Sequence, residues 1–175
     1  MPSPSELRPL IREIPDFPKP GILFRDITPL LGNGPAFRSC IRQLCERIAA
    51  RRPRMIAGIE SRGFIFGANV AVELGLGFVP IRKPGKLPWR TRQERYALEY
   101  GTDAIEVHED AFAPGTRIAL VDDLLATGGT AAAASKLMRD MGGQVVVAAF
   151  VIELEALAGR KRLAEVPVEA LVSYA

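Results

Sequence analysis

The stretch Leu120-Val121-Asp122-Asp123-Leu124-Leu125-Ala126-Thr127-Gly128-Gly129-Thr130 decides how this chain is read. An apolar strand over residues 117–121 runs into two adjacent carboxylates, and a turn of small residues at 122–130 opens onto a helix over 131–141. At such a turn the backbone N–H groups are free and glycines let an oxygen-rich group come close. Thr127 and Thr130 add hydroxyl donors, and the helix start adds positive potential. Together these features suit a phosphate monoester. The segment has neither the Gly-Lys-Ser/Thr of a P-loop nor the GxGxxG of a dinucleotide turn. Taken alone, Gly128-Gly129 reads as a tight turn and Asp122-Asp123 as a solvated pair. Like charges at the end of a buried strand are nevertheless costly to desolvate without hydroxyl donors or a cation beside them. A sugar phosphate brings the hydroxyls, and a Mg²⁺ carried in by a pyrophosphate brings the cation.

Outward from this stretch, strands and helices alternate. Apolar positions Phe37, Ile41, Leu44, Cys45 and Ile48 recur at helical spacing over 36–50. Residues 55–59 and 77–81 read as short buried strands, with a helical pattern over 64–74 between them. Residues 144–152 form a continuous apolar strand rich in β-branched side chains. That order predicts an α/β fold, a parallel sheet flanked by helices, with ligands outside the carboxyl ends of its strands. Residues 83–114 break the regularity with Pro, Gly, charged and aromatic residues, which marks a functional lid or an inserted hairpin.

A length of 175 residues predicts one domain, 1–175. The first residues show no targeting pattern, so a cytoplasmic chain is expected, and the longest apolar run, 145–152, is eight residues against the roughly 18 a spanning helix needs. No membrane contact is expected. Cys40 and Cys45 match neither a redox pair nor a zinc knuckle and read as packed thiols. The one histidine, His108, excludes any site built from several imidazoles. Net charge is only +3, yet Arg82, Lys83, Lys86, Arg90, Arg92 and Arg95 stand against the single acid Glu94, a density that wants an anion.

The stretch Val121 to Thr130 resembles the 5-phosphoribosyl-1-pyrophosphate (PRPP) signature of the type I phosphoribosyltransferases, in the form carried by the branch that acts on adenine. Three further stretches resemble the same family in the same order. They are Phe17-Pro18-Lys19-Pro20-Gly21-Ile22-Leu23-Phe24-Arg25-Asp26-Ile27, then Glu60-Ser61-Arg62-Gly63-Phe64, then Arg82-Lys83-Pro84-Gly85-Lys86-Leu87-Pro88 with Leu98-Glu99-Tyr100-Gly101 downstream. The resemblance implies the type I phosphoribosyltransferase fold, with a small N-terminal purine-binding hood and a mobile loop or hairpin. It also implies transfer of the phosphoribosyl group of PRPP to adenine, giving AMP and pyrophosphate in purine salvage, with Mg²⁺ as cofactor and a homodimer as the assembly.

Residue by residue, the resemblance puts the 5-phosphate in the turn Ala126, Thr127, Gly128, Gly129 and Thr130. It places Asp122 and Asp123 on the ribose side, beside a Mg²⁺ that enters with PRPP and is not held by protein alone. Glu60, Ser61, Arg62, Arg82, Lys83 and Lys86 would hold the pyrophosphate, with a non-proline cis peptide before Ser61. The Leu23 carbonyl would accept from the adenine amino group, the Arg25 N–H would donate to a ring nitrogen, and Phe24 and Leu124 would sandwich the base. Tyr96 and Tyr100 fall in the mobile loop, and Glu99 becomes the candidate for proton transfer, so the catalytic set is Glu99, Arg62, Asp122 and Asp123. Gly128→Val is expected to abolish PRPP binding with the fold intact. Three competing readings are a 6-oxopurine phosphoribosyltransferase, a PRPP-sensing regulator, and nucleic-acid binding through Arg82 to Arg95 with Trp89, Tyr96 and Tyr100. The adenine-type pocket, the short chain, and the acidic pair with its low net charge argue respectively against them.

Overall fold

The computed structural model describes residues 7–97 and 101–175. Among the described residues the centre is a five-stranded sheet in the order β4 (Gly77–Ile81), β3 (Met55–Ile59), β7 (Arg117–Leu125), β8 (Gln144–Leu154) and β9 (Val168–Tyr174). Every neighbouring pair runs parallel. Side chains alternate across a pleated strand, and β7 shows the consequence. Ala119 and Val121 join the core on one face, Ile118 and Leu120 the core on the other. A sheet buried on both faces needs apolar residues at successive positions, which is why its strands read as unbroken apolar runs.

Helices α2 (Gly34–Ala49) and α3 (Arg62–Leu74) pack on the first face, preceded by the short α1 (Thr28–Gly32). Helix α4 (Gly129–Asp140) packs on the second. The Asn33 side chain caps α2 by accepting from the Ala36 N–H at 3.1 Å, and Pro35 sits in the first turn, where its missing N–H is harmless. Both cysteines lie in the buried stripe of α2, and burial pushes the thiols up to about 12 at Cys40 and about 11 at Cys45.

Two antiparallel hairpins stand outside the main sheet, β1 (Arg12–Pro15) with β2 (Leu23–Asp26), and β5 (Thr91–Ala97) with β6 (Thr102–His108). The second resolves the irregular span 83–114 as an inserted hairpin. Strand β7 continues to Leu125, past the turn expected from Asp122 onward, so both carboxylates sit within paired strand. Helix α3 begins at Arg62, two residues earlier than expected, and 3₁₀ turns at Glu155–Leu157 and Gly159–Leu163 lead into β9.

Candidate active site

Strands β3 and β7 are neighbours, with Gly58 opposite Val121, so whatever follows each strand emerges at one carboxyl edge. From β3 come Glu60 and Ser61, joined by a cis peptide, then Arg62 at the start of α3. From β7 come Asp122 and Asp123. A cavity of about 470 Å³ opens there, lined by Glu60, Ser61, Arg62, Lys83, Asp122, Asp123, Leu124 and Thr130, all anticipated, and by two apolar residues, Ile59 and Ile105. A smaller cavity of about 100 Å³ adjoins it, lined by Asp122 and by Leu124 through Ala131, the expected phosphate turn.

The acid pair is held tightly. A Cβ at Gly63 would lie 2.7 Å from Asp122 Oδ1 and 3.0 Å from the Val121 carbonyl, so only glycine lets α3 start against this pair. The Asp123 N–H donates to Asp122 Oδ1 at 2.8 Å. Burial, reinforced by the charge of Asp123, raises the Asp122 carboxyl well above the ordinary carboxylate range. Asp123 is 5% exposed, and its Oδ2 lies 2.8 Å from Arg62 Nε, an ion pair whose geometry falls short of a hydrogen bond. The Arg62 guanidinium also lies 5.3 Å from the centroid of the Phe24 ring, so it spans from the acids to the hood.

The other cations are also engaged. Arg82 Nε donates to Glu60 Oε2 at 2.8 Å and its Nη1 to the Lys86 carbonyl at 3.2 Å. Lys83 donates to Asp103, and at 3.4 Å to the Tyr96 hydroxyl. Burial works against the Lys83 ammonium, but the bond to Asp103 and the proximity of Tyr96 outweigh it and raise its pKa. The Tyr96 hydroxyl donates to Asp103 Oδ2 at 3.1 Å and lies 3.0 Å from Thr130 Oγ1, tying the β5–β6 hairpin to the turn at 126–130.

Gly128 adopts φ +79° at the N-cap of α4, and a Cβ there would meet the Gly159 carbonyl oxygen at 2.5 Å. The sequence reading reserved this glycine for phosphate approach, with the fold indifferent to a side chain. The structure corrects that: the side chain would strike backbone of the 3₁₀ turn behind the loop. Gly129, by contrast, has only ordinary contacts, the nearest being Arg162 Nη1 at 3.5 Å.

Some expected residues stand apart. Leu23, Phe24 and Arg25 lie on β2 and Arg82 and Lys86 beside the cavity, none of them in its lining. Glu99 and Tyr100 lie outside the described residues. Two acids escaped the sequence reading. Asp103 holds Lys83, and Glu106, 5% exposed, accepts from the Lys86 and Leu87 N–H groups, both at 3.2 Å, and from Thr91 Oγ1 at 3.3 Å. The visible signal for the latter was an acid between Ile105 and Val107 in an otherwise apolar run.

Among the described residues no group of three or more His, Cys, Asp or Glu side chains could hold a metal. Asp122 and Asp123 offer two carboxylates, and Asp123 Oδ2 is buried without a hydrogen bond. They fit Mg²⁺ as part of a shell completed by substrate phosphates and water, the usual habit of this cation.

Residues 31–171 match the phosphoribosyl transferase domain family. An adenine phosphoribosyltransferase from Synechococcus is 58% identical over 169 residues, covering 97% of this chain and 99% of its own. The crystal structure of adenine phosphoribosyltransferase from Thermoanaerobacter pseudethanolicus superposes with a TM-score of 0.96 at 49% identity, covering 98% of this chain and 100% of that one. The Saccharomyces cerevisiae enzyme, complexed with an imino-altritol bisphosphate and adenine, gives 0.90 at 40% identity, covering 96% and 97%. The parallel sheet, the acid pair above the glycine turn that opens α4 and these likenesses together place the chain in the phosphoribosyltransferase family, in its adenine phosphoribosyltransferase branch.

Proposed function

We propose that this chain, acting as one catalytic domain over residues 1–175, transfers the phosphoribosyl group of PRPP to adenine, releasing pyrophosphate and forming AMP. The observation that carries this reading is the acid pair Asp122-Asp123 directly above a helix-opening glycine turn, with Arg62 and Lys83 in the lining of the same cavity. The C1–O bond to pyrophosphate breaks and a C1–N9 bond to adenine forms. Positive charge builds on the ribose ring and negative charge on the leaving group, so placed charges carry most of the catalysis.

In this reading the 5-phosphate binds the N–H groups and hydroxyls of Ala126 to Thr130, a remote anchor whose binding energy orients the reacting carbon. Asp122 and Asp123 face the ribose hydroxyls and the developing cation. Pyrophosphate draws on Arg62, Arg82, Lys83 and Lys86 with the Glu60-Ser61 turn. Three of these cations now rest on Asp123, Glu60 and Asp103, so the substrate anion exchanges with carboxylates instead of meeting bare charge. Asp122 and Asp123 would help hold the Mg²⁺ that enters with PRPP, and that ion would neutralise charge on the pyrophosphate. Phe24 and Leu124 enclose the purine, the Leu23 carbonyl and Arg25 N–H read its edge, and Glu99 accepts the ring N–H proton that adenine gives up as the C1–N9 bond forms. The hairpin bearing Tyr96 closes over the substrates and excludes water, and Tyr100 is assigned to the same closure.

The assembly proposed is a homodimer, the commonest symmetric form, in the cytoplasm; light scattering tests the former. Among the described residues no helix is long and apolar enough to cross a membrane. Incubating the purified chain with PRPP, Mg²⁺ and each of adenine, hypoxanthine, guanine and xanthine tests the function. Adenine alone is expected to turn over efficiently, since an acceptor facing the 6-amino group is left unpaired by a 6-oxo purine, a mismatch worth roughly 10⁴-fold. Comparable rates with hypoxanthine refute the purine assignment.

A further inference from the structure

Strand β2 presents alternate residues to opposite sides. Phe24 faces Phe17, with ring centroids 5.1 Å apart, and the Arg62 guanidinium. Arg25 points the other way, onto the far edge of the main sheet, where its Cζ lies 3.8 Å from the centroid of the Tyr174 ring. Its side chain is only 11% exposed, ion-paired with Glu13 of β1, and its Nε is buried without a hydrogen bond. Arg8 lies 4.4 Å from the same centroid and donates to the Ser173 carbonyl. Tyr174 is 6% exposed, and its hydroxyl is buried with no hydrogen-bond partner.

A tyrosine whose hydroxyl bonds to nothing is kept for its ring, and a guanidinium whose Nε bonds to nothing is held by that ring's face. Tyr174 pairs with Leu154 at the carboxyl end of β9, and in the row just before it Ser173 pairs with Glu153, which pairs in turn with Leu125 of β7. The stack thus ties β2 to the sheet edge from which the acid pair and phosphate turn emerge. We infer that Tyr174, through Arg25 and Arg8, is a positioning residue for purine recognition: it sets where β2 stands over the site and touches no substrate. The inference rests on the reading that Leu23, Phe24 and Arg25 hold the base.

The test separates the two. Phe24→Ala probes the purine reading alone, and adenine KM is expected to rise at least tenfold. Tyr174→Leu removes the π face while staying apolar, and is expected to raise adenine KM about tenfold, a loss of about 1.4 kcal/mol, with PRPP KM changed less than about twofold. Tyr174→Phe keeps the ring and is expected to match wild type. Arg25→Met leaves the β2 backbone groups in place, reports the same contact from the other side if Tyr174→Leu folds poorly, and adds nothing further in the double variant. Unchanged adenine KM in Phe24→Ala removes the purine reading. A normal response there, with adenine KM unchanged in Tyr174→Leu or Arg25→Met, or with both substrates' KM rising together, overturns the anchor alone.

Discussion

Gly128→Ala joins folding and function at one atom. The residue sits at φ +79°, where a side chain costs about 1–2 kcal/mol, and the new Cβ would lie 2.5 Å from the Gly159 carbonyl oxygen and 3.1 Å from Gly159 C and Cα. Because the obstacle is backbone, either the loop or the 3₁₀ turn must move, an overpacking cost of about 1–3 kcal/mol. The sum, about 2–5 kcal/mol, lowers Tm by roughly 4–20 °C for a chain of this size. The shift also displaces the N–H groups at the start of α4, so PRPP KM is expected to rise roughly ten- to a hundredfold while adenine KM moves little. Gly159→Ala approaches from the opposite side, with its Cβ 2.3 Å from the Ala126 carbonyl oxygen and no positive φ, and so isolates the steric part. Gly129→Ala, with nothing nearer than 3.5 Å and a helical position, is the control and should keep or slightly raise Tm. Differential scanning calorimetry with steady-state kinetics on the three variants decides. Wild-type Tm and PRPP KM in Gly128→Ala would refute the reasoning, and a lowered Tm with unchanged PRPP KM would leave the turn structural and place the phosphate elsewhere.

The raised carboxyl of Asp122 means that the folded chain holds a proton there which the unfolded chain releases near the ordinary 3.8. Stability of the substrate-free protein from this group is therefore lost as pH rises from that value through the raised one, and Asp122→Asn should flatten this part of the Tm-against-pH curve. The same slope in the variant would exclude the group. Cys40 and Cys45, pushed up to about 12 and about 11 by burial, should resist thiol reagents at pH 8 until the chain unfolds; fast labelling of the native protein would contradict their burial. Glu99→Leu should lower kcat by about 10²- to 10⁴-fold with little change in PRPP binding, and Glu99→Gln should fall between. Wild-type kcat in both variants, with chemistry shown to limit turnover, returns Glu99 to an ordinary loop acid.

The elements legible in the sequence are those whose signal is local. Strands β3, β7 and β8 are buried on both faces, so each reads as an apolar run wherever its neighbours lie. The elements that escaped owe their form to partners distant in the chain. β9 mixes Glu169 and Ser173 among apolar residues because it is an edge strand, and Glu169 serves Arg47 and Arg51 from below α2, at 3.5 and 3.6 Å. β5 is mostly polar, yet Glu94 reaches Lys136 of α4 at 2.9 Å and Tyr96 packs into the second core. A polar hairpin lying on a helix leaves no periodicity strong enough to bound its strands, so the span 83–114 could be read only as a lid or an inserted hairpin.

The site divides along the same line. Residues adjacent in the chain, Asp122-Asp123 with their turn and Glu60-Ser61-Arg62, could be placed at strand ends because a strand followed by small or charged residues has one carboxyl edge to emerge from. The pairings could not be read, since Arg62 finds Asp123 across 61 positions and Arg82 reaches back 22 to Glu60. This changes what the basic run means. Counted along the chain, Arg82 to Arg95 is a patch awaiting any polyanion. In the fold Arg82, Lys83 and Arg92 already rest on Glu60, Asp103 and Glu109. A nucleic acid passing over that surface would have to break these pairs for diffuse attraction alone. In the proposed reaction a compact pyrophosphate entering the cavity would meet Arg62 and Lys83 at once and would free Asp123 toward ribose hydroxyls and a divalent cation. On that proposal, the same carboxylates that mask the charge from a polyanion would favour the one anion that arrives with its own sugar and metal.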